Sequence, residues 1–159
     1  MNAAPRIVTL GETFSSTLAL SVDSIKSFAT LVNDLNPLHH DDAYAAQSRF
    51  GGLIASGTQP TAHFMALLAT HFSTYAQPLG LEFDIKLKKA VHADDTLTIT
   101  WRVRDAYWKP GLNGDLTHLE GTVVNQRGDV MLVGTSTILV MPKPEAALKA
   151  GSEKGAKAP

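Results

Sequence analysis

The second half of the chain consists of segments in which apolar and polar residues alternate, and this pattern constrains the fold more than any other feature. Every second residue is apolar in 81–87 and again in 97–103, and two further strand-like segments cover 116–126 and 130–141. Arg127-Gly128-Asp129 is typical of a turn between the last two segments. Consecutive strands joined by short turns form an antiparallel sheet, which needs a second layer against its apolar face.

The sequence predicts that layer upstream of these strands. A helix should begin after Gly57, with Pro60 in its first turn, where proline is tolerated. Its apolar residues follow helical spacing and cover much of its circumference, so we expect it to be buried on most sides; they are Ala62, Phe64, Met65, Leu67, Leu68, Ala69, Phe72 and Ala76. A first strand is expected over 13–21, followed by two shorter helices, the first capped by Ser21 or Asp23 and the second by Asp41 or Asp42. The order of elements predicts an α+β domain with one long helix on a curved antiparallel sheet.

Composition narrows the class of protein. The chain has 159 residues, 44% of them hydrophobic, which suits one domain with a real core, expected over 8–141 between a flexible N-terminus (1–7) and a flexible tail (142–159). A formal net charge of −1 argues against a nucleic-acid partner. Cysteine is absent, and the histidines lack partners at ligand spacing, so we expect no disulfide and no metal site. We find no signal-peptide pattern and no apolar run of membrane-spanning length, and we therefore expect a cytoplasmic protein without a membrane partner.

The run Asp34-Leu35-Asn36-Pro37-Leu38-His39 carries the candidate chemistry. Proline disfavours a helical conformation at the residue before it, so the chain should bend at Asn36. This bend allows the side chains of Asp34 and His39 to converge. A carboxylate and an imidazole in contact can bind a water molecule and act on it as a general acid/base pair. Which of the two would act as base is left open by the sequence. Asn36 is expected to fix the bend or to bind the backbone of the site.

Together with three other segments, this run resembles the MaoC-like acyl dehydratases, a family that includes the (R)-specific enoyl-CoA hydratases. The other matching segments are 50–57 (Phe-Gly-Gly-Leu-Ile-Ala-Ser-Gly), 89–97 and 125–128, so that the resemblance extends over about residues 8–141. It implies a hot-dog fold, a homodimer or larger homo-oligomer, and an acyl-CoA substrate bound between subunits, with no cofactor beyond the coenzyme A that carries the acyl group. It also implies that Asp34 and His39 are the catalytic pair and that the Gly57 N–H holds the thioester oxygen.

The chain departs from the family pattern at two positions. Ser56 stands where the family usually has histidine before the glycine, and Met65 stands where some hydratases have a serine. Ser56 is expected either to bind the ligand or to cap the following helix. Two alternatives therefore stay open: a hot-dog thioesterase, which activates water at C1 of the acyl group instead of C3, and an inactive acyl-binding subunit. The basic residues that could meet the phosphates of coenzyme A, or simply face solvent, are Arg49, Lys86, Lys88 and Lys89.

Overall fold

Five antiparallel strands and three α-helices make up the part of the chain, residues 1–145, that the computed structural model describes. In chain order the elements are β1 (Thr13–Ala19), α1 (Val22–Leu31), α2 (Asp42–Gln47), α3 (Thr58–Phe72), β2 (Gln77–Leu87), β3 (Thr96–Lys109), β4 (Gly114–Val124) and β5 (Val130–Met141), with 3₁₀ turns at Pro37–His39 and Pro110–Leu112. The strands lie in the order β1-β3-β4-β5-β2, and all neighbours are antiparallel. The α+β class predicted from the sequence is confirmed.

Helix α3 packs across the sheet through one face. The ring of Phe64 stacks on that of Trp101 in β3, with 4.1 Å between ring centroids, and the Trp101 indole N–H donates to the Phe64 carbonyl oxygen at 2.7 Å. Gly121 of β4 lies beside this pair, where a Cβ atom would come within 2.5 Å of Trp101 Cε3 and 2.6 Å of Phe64 Cε2. Glycine at this position therefore permits the close approach of helix and sheet.

The outer side of α3 is open. Phe64, Leu68 and Phe72 are buried, whereas Ala62 and Ala69, which the helical pattern placed inside, are exposed. The prediction of a helix buried on most sides was wrong because the sheet covers only one side of it. Exposed alanines are common in soluble proteins, since surfaces retain much apolar area.

The strands agree with the prediction to different degrees. All four apolar residues predicted for the third strand are buried, namely Leu97, Ile99, Trp101 and Val103. In β2, however, Leu81 and Leu87 are 51% and 59% exposed, although the alternation placed them inside. Strand β2 lies at the edge of the sheet, and its register against β5 shifts between Gly80 and Glu82, which changes the direction of the side chain of Leu81. Leu87 lies beyond this shift, at the end of the edge strand.

The predicted turn between the last two strands is confirmed. Gly128 has a φ of +83°, a left-handed conformation that glycine adopts without strain. The side-chain Oδ1 of Asn125 accepts hydrogen bonds from the N–H groups of Arg127 and Asp129 at 3.0 and 2.9 Å. These bonds close the turn and connect β4 to β5 directly.

The N-terminal segment, for which the sequence predicted flexibility, contacts the sheet. The buried carboxylate of Asp115 in β4 accepts hydrogen bonds from the N–H groups of Arg6, Ile7 and Val8 at 2.7–3.1 Å. Ala3 also forms a β-bridge with Trp108. Most of the flexible tail predicted for 142–159 lies outside the described residues.

Candidate active site

The end of α1 determines where Asp34 lies. Asn33 has a φ of +58°, and the N–H groups of Asp34 and Asn33 donate to the carbonyl oxygens of Ala29 and Thr30 at 2.8 and 3.1 Å. This pair of bonds is a Schellman motif, which ends a helix and turns the chain away from the helix axis. Asp34 therefore follows immediately after the helix, on a backbone that is fixed by hydrogen bonds.

The bend predicted at Asn36-Pro37 is present. The Asn36 side-chain oxygen accepts a hydrogen bond from the Leu38 N–H at 3.1 Å, and the Asn36 N–H donates to Asp34 Oδ1 at 3.2 Å. The 3₁₀ turn at Pro37–His39 follows and brings His39 back towards Asp34. Both hydrogen bonds of Asn36 stabilise this bend.

Asp34 and His39 face each other across a short gap. Asp34 Oδ2 is 3.3 Å from His39 Nε2, and the side chains are 30% and 7% exposed, respectively. The other ring nitrogen of His39, Nδ1, is 2.7 Å from the carbonyl oxygen of Ile54. A carbonyl only accepts hydrogen bonds, so Nδ1 carries a hydrogen and Nε2 is the nitrogen available for proton transfer. One water molecule can lie within hydrogen-bond distance of Nε2 and Oδ2 at the same time.

Ser56 joins this pair. Its hydroxyl group donates to Asp34 Oδ2 at 2.6 Å and lies 2.7 Å from the hydroxyl of Thr58, and the residue is only 1% exposed. The hydrogen bond from Ser56, followed by the one from the Asn36 N–H, lowers the pKa of Asp34 below its ordinary value of 3.8, because both stabilise the ionised carboxylate. Of the two roles expected for Ser56, capping of the long helix was wrong: Gly57 is the N-cap of α3, and within residues 1–145 no side-chain hydrogen bond caps this helix.

Gly57 and His39 line the same cleft. The backbone of Gly57 is helical (φ −57°, ψ −23°), and no acceptor within residues 1–145 takes its N–H. A Cβ atom on Gly57 would lie 3.0 Å from Cδ2 of Leu87, which lines the same cleft. The cleft has a volume of about 300 Å³, and its lining includes His39, Phe50, Ile54, Ala55, Gly57, Pro60, Leu87 and Val91.

The four basic residues considered for phosphate binding separate into two groups. Lys88 and Lys89 line the cleft, and together with Arg49 they line a groove that adjoins it. Lys89 is paired with Asp129 at 2.7 Å. Successive side chains of a strand point to opposite faces of the sheet, so Lys86 and its helix-facing neighbours in β2 lie on different faces. Lys86 therefore lines a groove on the face of the sheet that is opposite α3.

Three contributors to the site were not predicted. Thr58 contacts Ser56, the Ile54 carbonyl fixes the ring of His39, and His40 Nε2 lies 2.6 Å from the carbonyl oxygen of Asp34. Thr58 is the first residue of α3, and Ile54 lies in the segment before it, which is held by hydrogen bonds from the Ile54 N–H to Leu38 O and from the Ala55 N–H to Val91 O. Sequence spacing gives no signal for the contact of Ile54 with His39 or of Ser56 with Asp34, since these residues lie 15 and 22 positions apart.

Buried carboxylates outside the site have structural partners. Asp95 accepts hydrogen bonds from the His92 N–H at 2.9 Å and from the Gln126 amide at 3.0 Å. Within residues 1–145, no group of three or more His, Asp or Glu side chains is placed to hold a metal ion. No helix in that range combines the length and apolar character needed to cross a membrane.

Comparisons with known proteins agree with this architecture. The family profile described as "MaoC like domain" matches residues 8–122. Similar solved structures include the R-hydratase PhaJ1 from Pseudomonas aeruginosa in the unliganded form (24% identity, TM-score 0.74, covering 86% of this chain and 84% of that one). The MaoC-like dehydratase from Rhodospirillum rubrum is 25% identical (TM-score 0.73, 86% and 95% covered).

A third structure, the ChsH1-ChsH2 complex from Mycobacterium tuberculosis, is 17% identical over 83% of this chain and 98% of that one, with a TM-score of 0.71. No curated protein matches the chain significantly. The likeness to these structures confirms the hot-dog fold, in which the sheet curves around a long helix. Because the family profile covers well over half of the sequence, the chain belongs to the MaoC-like dehydratase family.

Proposed function

We propose that this protein is an (R)-specific enoyl-CoA hydratase, or in the reverse direction a 3-hydroxyacyl-CoA dehydratase, which adds water across the trans-2 double bond of an acyl thioester. One observation carries the proposal: Asp34 Oδ2 and His39 Nε2 are 3.3 Å apart, and His39 also lines the cleft that Gly57 borders. Hydration needs a water activated at C3, a proton at C2 and a donor to the thioester oxygen, and these groups supply all three.

The geometry supports separate roles for the two catalytic side chains. Asp34 has a lowered pKa, which makes it a weak base at neutral pH but a stable anion beside His39. His39 Nε2 then accepts a proton from water as the water oxygen bonds to C3. The imidazolium that results is stabilised by Asp34 and delivers that proton to C2. The net change is the addition of one water, with no redox step and no proton left over.

Gly57 is proposed to stabilise the charge that develops on the thioester oxygen. The first N–H groups of a helix have no partner within the helix, and the helix dipole makes this end partially positive. The N–H of Gly57 lies at the start of the 15-residue helix α3, at the border of the same cleft as His39. A carbonyl oxygen bound there would place C2 and C3 towards the catalytic pair.

The coenzyme A moiety is proposed to leave the cleft along the adjoining groove. Lys88 lines both the cleft and the groove, and Arg49 stands in the groove beside it. Lys89 and Arg127 also line the groove, but both are paired with Asp129 at 2.7 and 3.4 Å. Lys88 and Arg49 are therefore the better candidates for the phosphates, and Lys86 is not a candidate.

We further propose that the protein is a homodimer, in which the second subunit covers the cleft that would hold the acyl chain. Strand β2 is an edge strand of 11 residues and exposes Leu79, Leu81 and Leu87. A long edge with exposed apolar side chains is a surface that soluble proteins normally cover. Light scattering at micromolar concentration tests this, and a monomer that still turns over substrate would contradict it.

One assay tests the reaction. Purified protein is given crotonyl-CoA, and the loss of the conjugated double bond is followed together with the release of free thiol. Loss of the double bond with (R)-3-hydroxybutyryl-CoA as product supports the proposal. Release of thiol indicates a thioesterase, and the absence of both changes over a series of acyl lengths indicates an acyl-binding subunit; either result would refute the hydratase assignment.

A further inference from the structure

Ser56, which stands where the family usually has histidine, forms hydrogen bonds that the family pattern does not explain. The serine is 1% exposed, and its hydroxyl has a single hydrogen. An ionised carboxylate only accepts hydrogen bonds, so the 2.6 Å contact with Asp34 Oδ2 uses that hydrogen. In the 2.7 Å contact between Ser56 and Thr58, Thr58 must therefore be the donor. The result is a directed chain in which Thr58 donates to Ser56 and Ser56 donates to Asp34.

We propose that Ser56 and Thr58 form a hydroxyl pair that positions the Asp34 carboxylate towards His39 and stabilises its ionised form. Asp34 Oδ2, the oxygen that receives the bond from Ser56, is also the oxygen 3.3 Å from His39 Nε2. The other oxygen, Oδ1, accepts from the Asn36 N–H at 3.2 Å, so that both carboxylate oxygens are held. Ser56 and Thr58 are positioning residues, since they act on the reaction through Asp34.

The backbone around the pair is fixed from several directions. The Gln59 N–H donates to the Ser56 carbonyl oxygen at 2.9 Å, and the neighbouring Ala55 N–H donates to Val91 O at 2.8 Å. Thr58 is the first residue of α3, so its hydroxyl is carried by the helix that supports the sheet. Hydrogen bonds in a chain polarise one another, and the donation from Thr58 strengthens the bond from Ser56 to Asp34.

The electrostatic consequence agrees with this geometry. Among the groups that lower the pKa of Asp34, the Ser56 hydroxyl contributes most, ahead of the Asn36 N–H and the charges of His39 and His40. Burial acts in the opposite direction, because it disfavours the ionised form. Removing the Ser56 hydroxyl therefore raises the pKa of Asp34 and removes the hydrogen bond from the carboxylate oxygen that faces His39.

The inference rests on the proposed hydratase function for its kinetic readout only, and its first test needs no activity. The pKa of Asp34 is measured by NMR titration of its ¹³C-labelled carboxyl carbon, assigned from the spectrum of Asp34→Asn. Ser56→Ala should raise the titration midpoint above the wild-type value. Ser136→Ala is the matched control, because Ser136 is a buried serine on β5 whose hydroxyl has no partner within the described residues. An Asp34 midpoint that is equal in Ser56→Ala and wild type would overturn the proposal.

If Ser56→Ala does not fold, a second pair of variants, at Thr58, still tests the proposal. Thr58 is exposed, so Thr58→Val should fold normally. It should raise the midpoint by less than Ser56→Ala, and Thr58→Ser should restore the wild-type value because it retains the hydroxyl. A Thr58→Val midpoint identical to wild type would remove Thr58 from the pair.

The kinetic test follows if the wild type hydrates crotonyl-CoA. A hydrogen bond to a charged group is worth enough to change a rate by about 10- to 100-fold, so Ser56→Ala should lower kcat by that factor with little change in KM. Unchanged kcat would contradict a positioning role even where the midpoint moves. An inactive wild type would refute the hydratase assignment, and the titration would still decide the inference about Asp34.

Discussion

Substitution of Gly57 separates catalysis from folding. The residue has φ −57° and ψ −23°, which any L-amino acid adopts, so glycine is not required there by backbone conformation. Replacing glycine by a residue that fits the local conformation stabilises a protein by about 0.4–1 kcal/mol through the unfolded state. Against this gain, valine is a poorer N-cap residue than glycine, and a new Cβ atom at Gly57 would lie 3.0 Å from Cδ2 of Leu87. Leu87 is 59% exposed, and its side chain can rotate away at small cost.

The net effect on stability should therefore be small. We expect the free energy of unfolding of Gly57→Val to stay within about 1 kcal/mol of wild type, which corresponds to a change in Tm of about 2–4 °C for a chain of this size. The effect on catalysis should be large if Gly57 has the proposed oxyanion role, because the valine side chain would lie beside Leu87 in the cleft and obstruct a thioester carbonyl approaching the Gly57 N–H. Loss of one oxyanion donor costs about 10²–10³-fold in kcat, and we expect kcat/KM to fall by at least that factor.

The assay pairs thermal unfolding with steady-state hydration of crotonyl-CoA. Gly52→Val is the matched control: Gly52 lies five residues upstream, its φ is not positive, and no atom within the described residues lies within 4 Å of its added Cβ. This variant should keep wild-type kinetics. A Gly57→Val protein with normal Tm and normal kinetics would refute the oxyanion role, and a loss of activity that only follows a loss of stability would show that Gly57 matters for folding alone.

Three further predictions concern the catalytic pair and the core. Asp34→Asn and His39→Gln should each lower kcat by about 10²–10⁴-fold with unchanged circular dichroism. The control is His63→Gln, at an exposed histidine of α3, which should leave kcat unchanged. Near-normal activity of either site variant would remove that residue from the catalytic pair. Because the folded-state pKa of Asp34 lies below 3.8, its contribution to stability is complete above that pH and is lost as pH falls through the folded pKa. In urea unfolding at each pH, wild type should therefore lose more stability than Asp34→Asn between pH 4 and pH 2. Equal losses of the free energy of unfolding in the two proteins would contradict this. Gly121→Ala should destabilise the fold by about 1–3 kcal/mol or more in urea, because its Cβ would meet Trp101 Cε3 at 2.5 Å; an unchanged unfolding midpoint would show that the helix moves away without cost.

The predictions from sequence were most accurate where local chemistry decides the structure. Ser21, one of the two residues predicted to cap α1, does so in a capping box with Ser24, whereas Asp23, the other, lies in the first turn. The alternation over residues 97–103 of β3 gave the right set of buried side chains, because this part of a non-edge strand keeps one face on the core before the register shifts after Val103. The same alternation failed at Leu81, where the register of the edge strand β2 shifts, and at Leu87, at the end of that strand.

The sequence by itself determined the class of fold, the order of its elements and the two side chains, Asp34 and His39, that are proposed to carry the chemistry. These features depend on periodicity and on a motif of six residues, which are local properties of the chain. Only the tertiary structure decided that Ser56 binds Asp34 instead of capping α3, and that Lys86 faces away from the site while Lys88 lines it. Such contacts join segments that are distant in sequence, and they exist only because the core packing of helix and sheet brings those segments together.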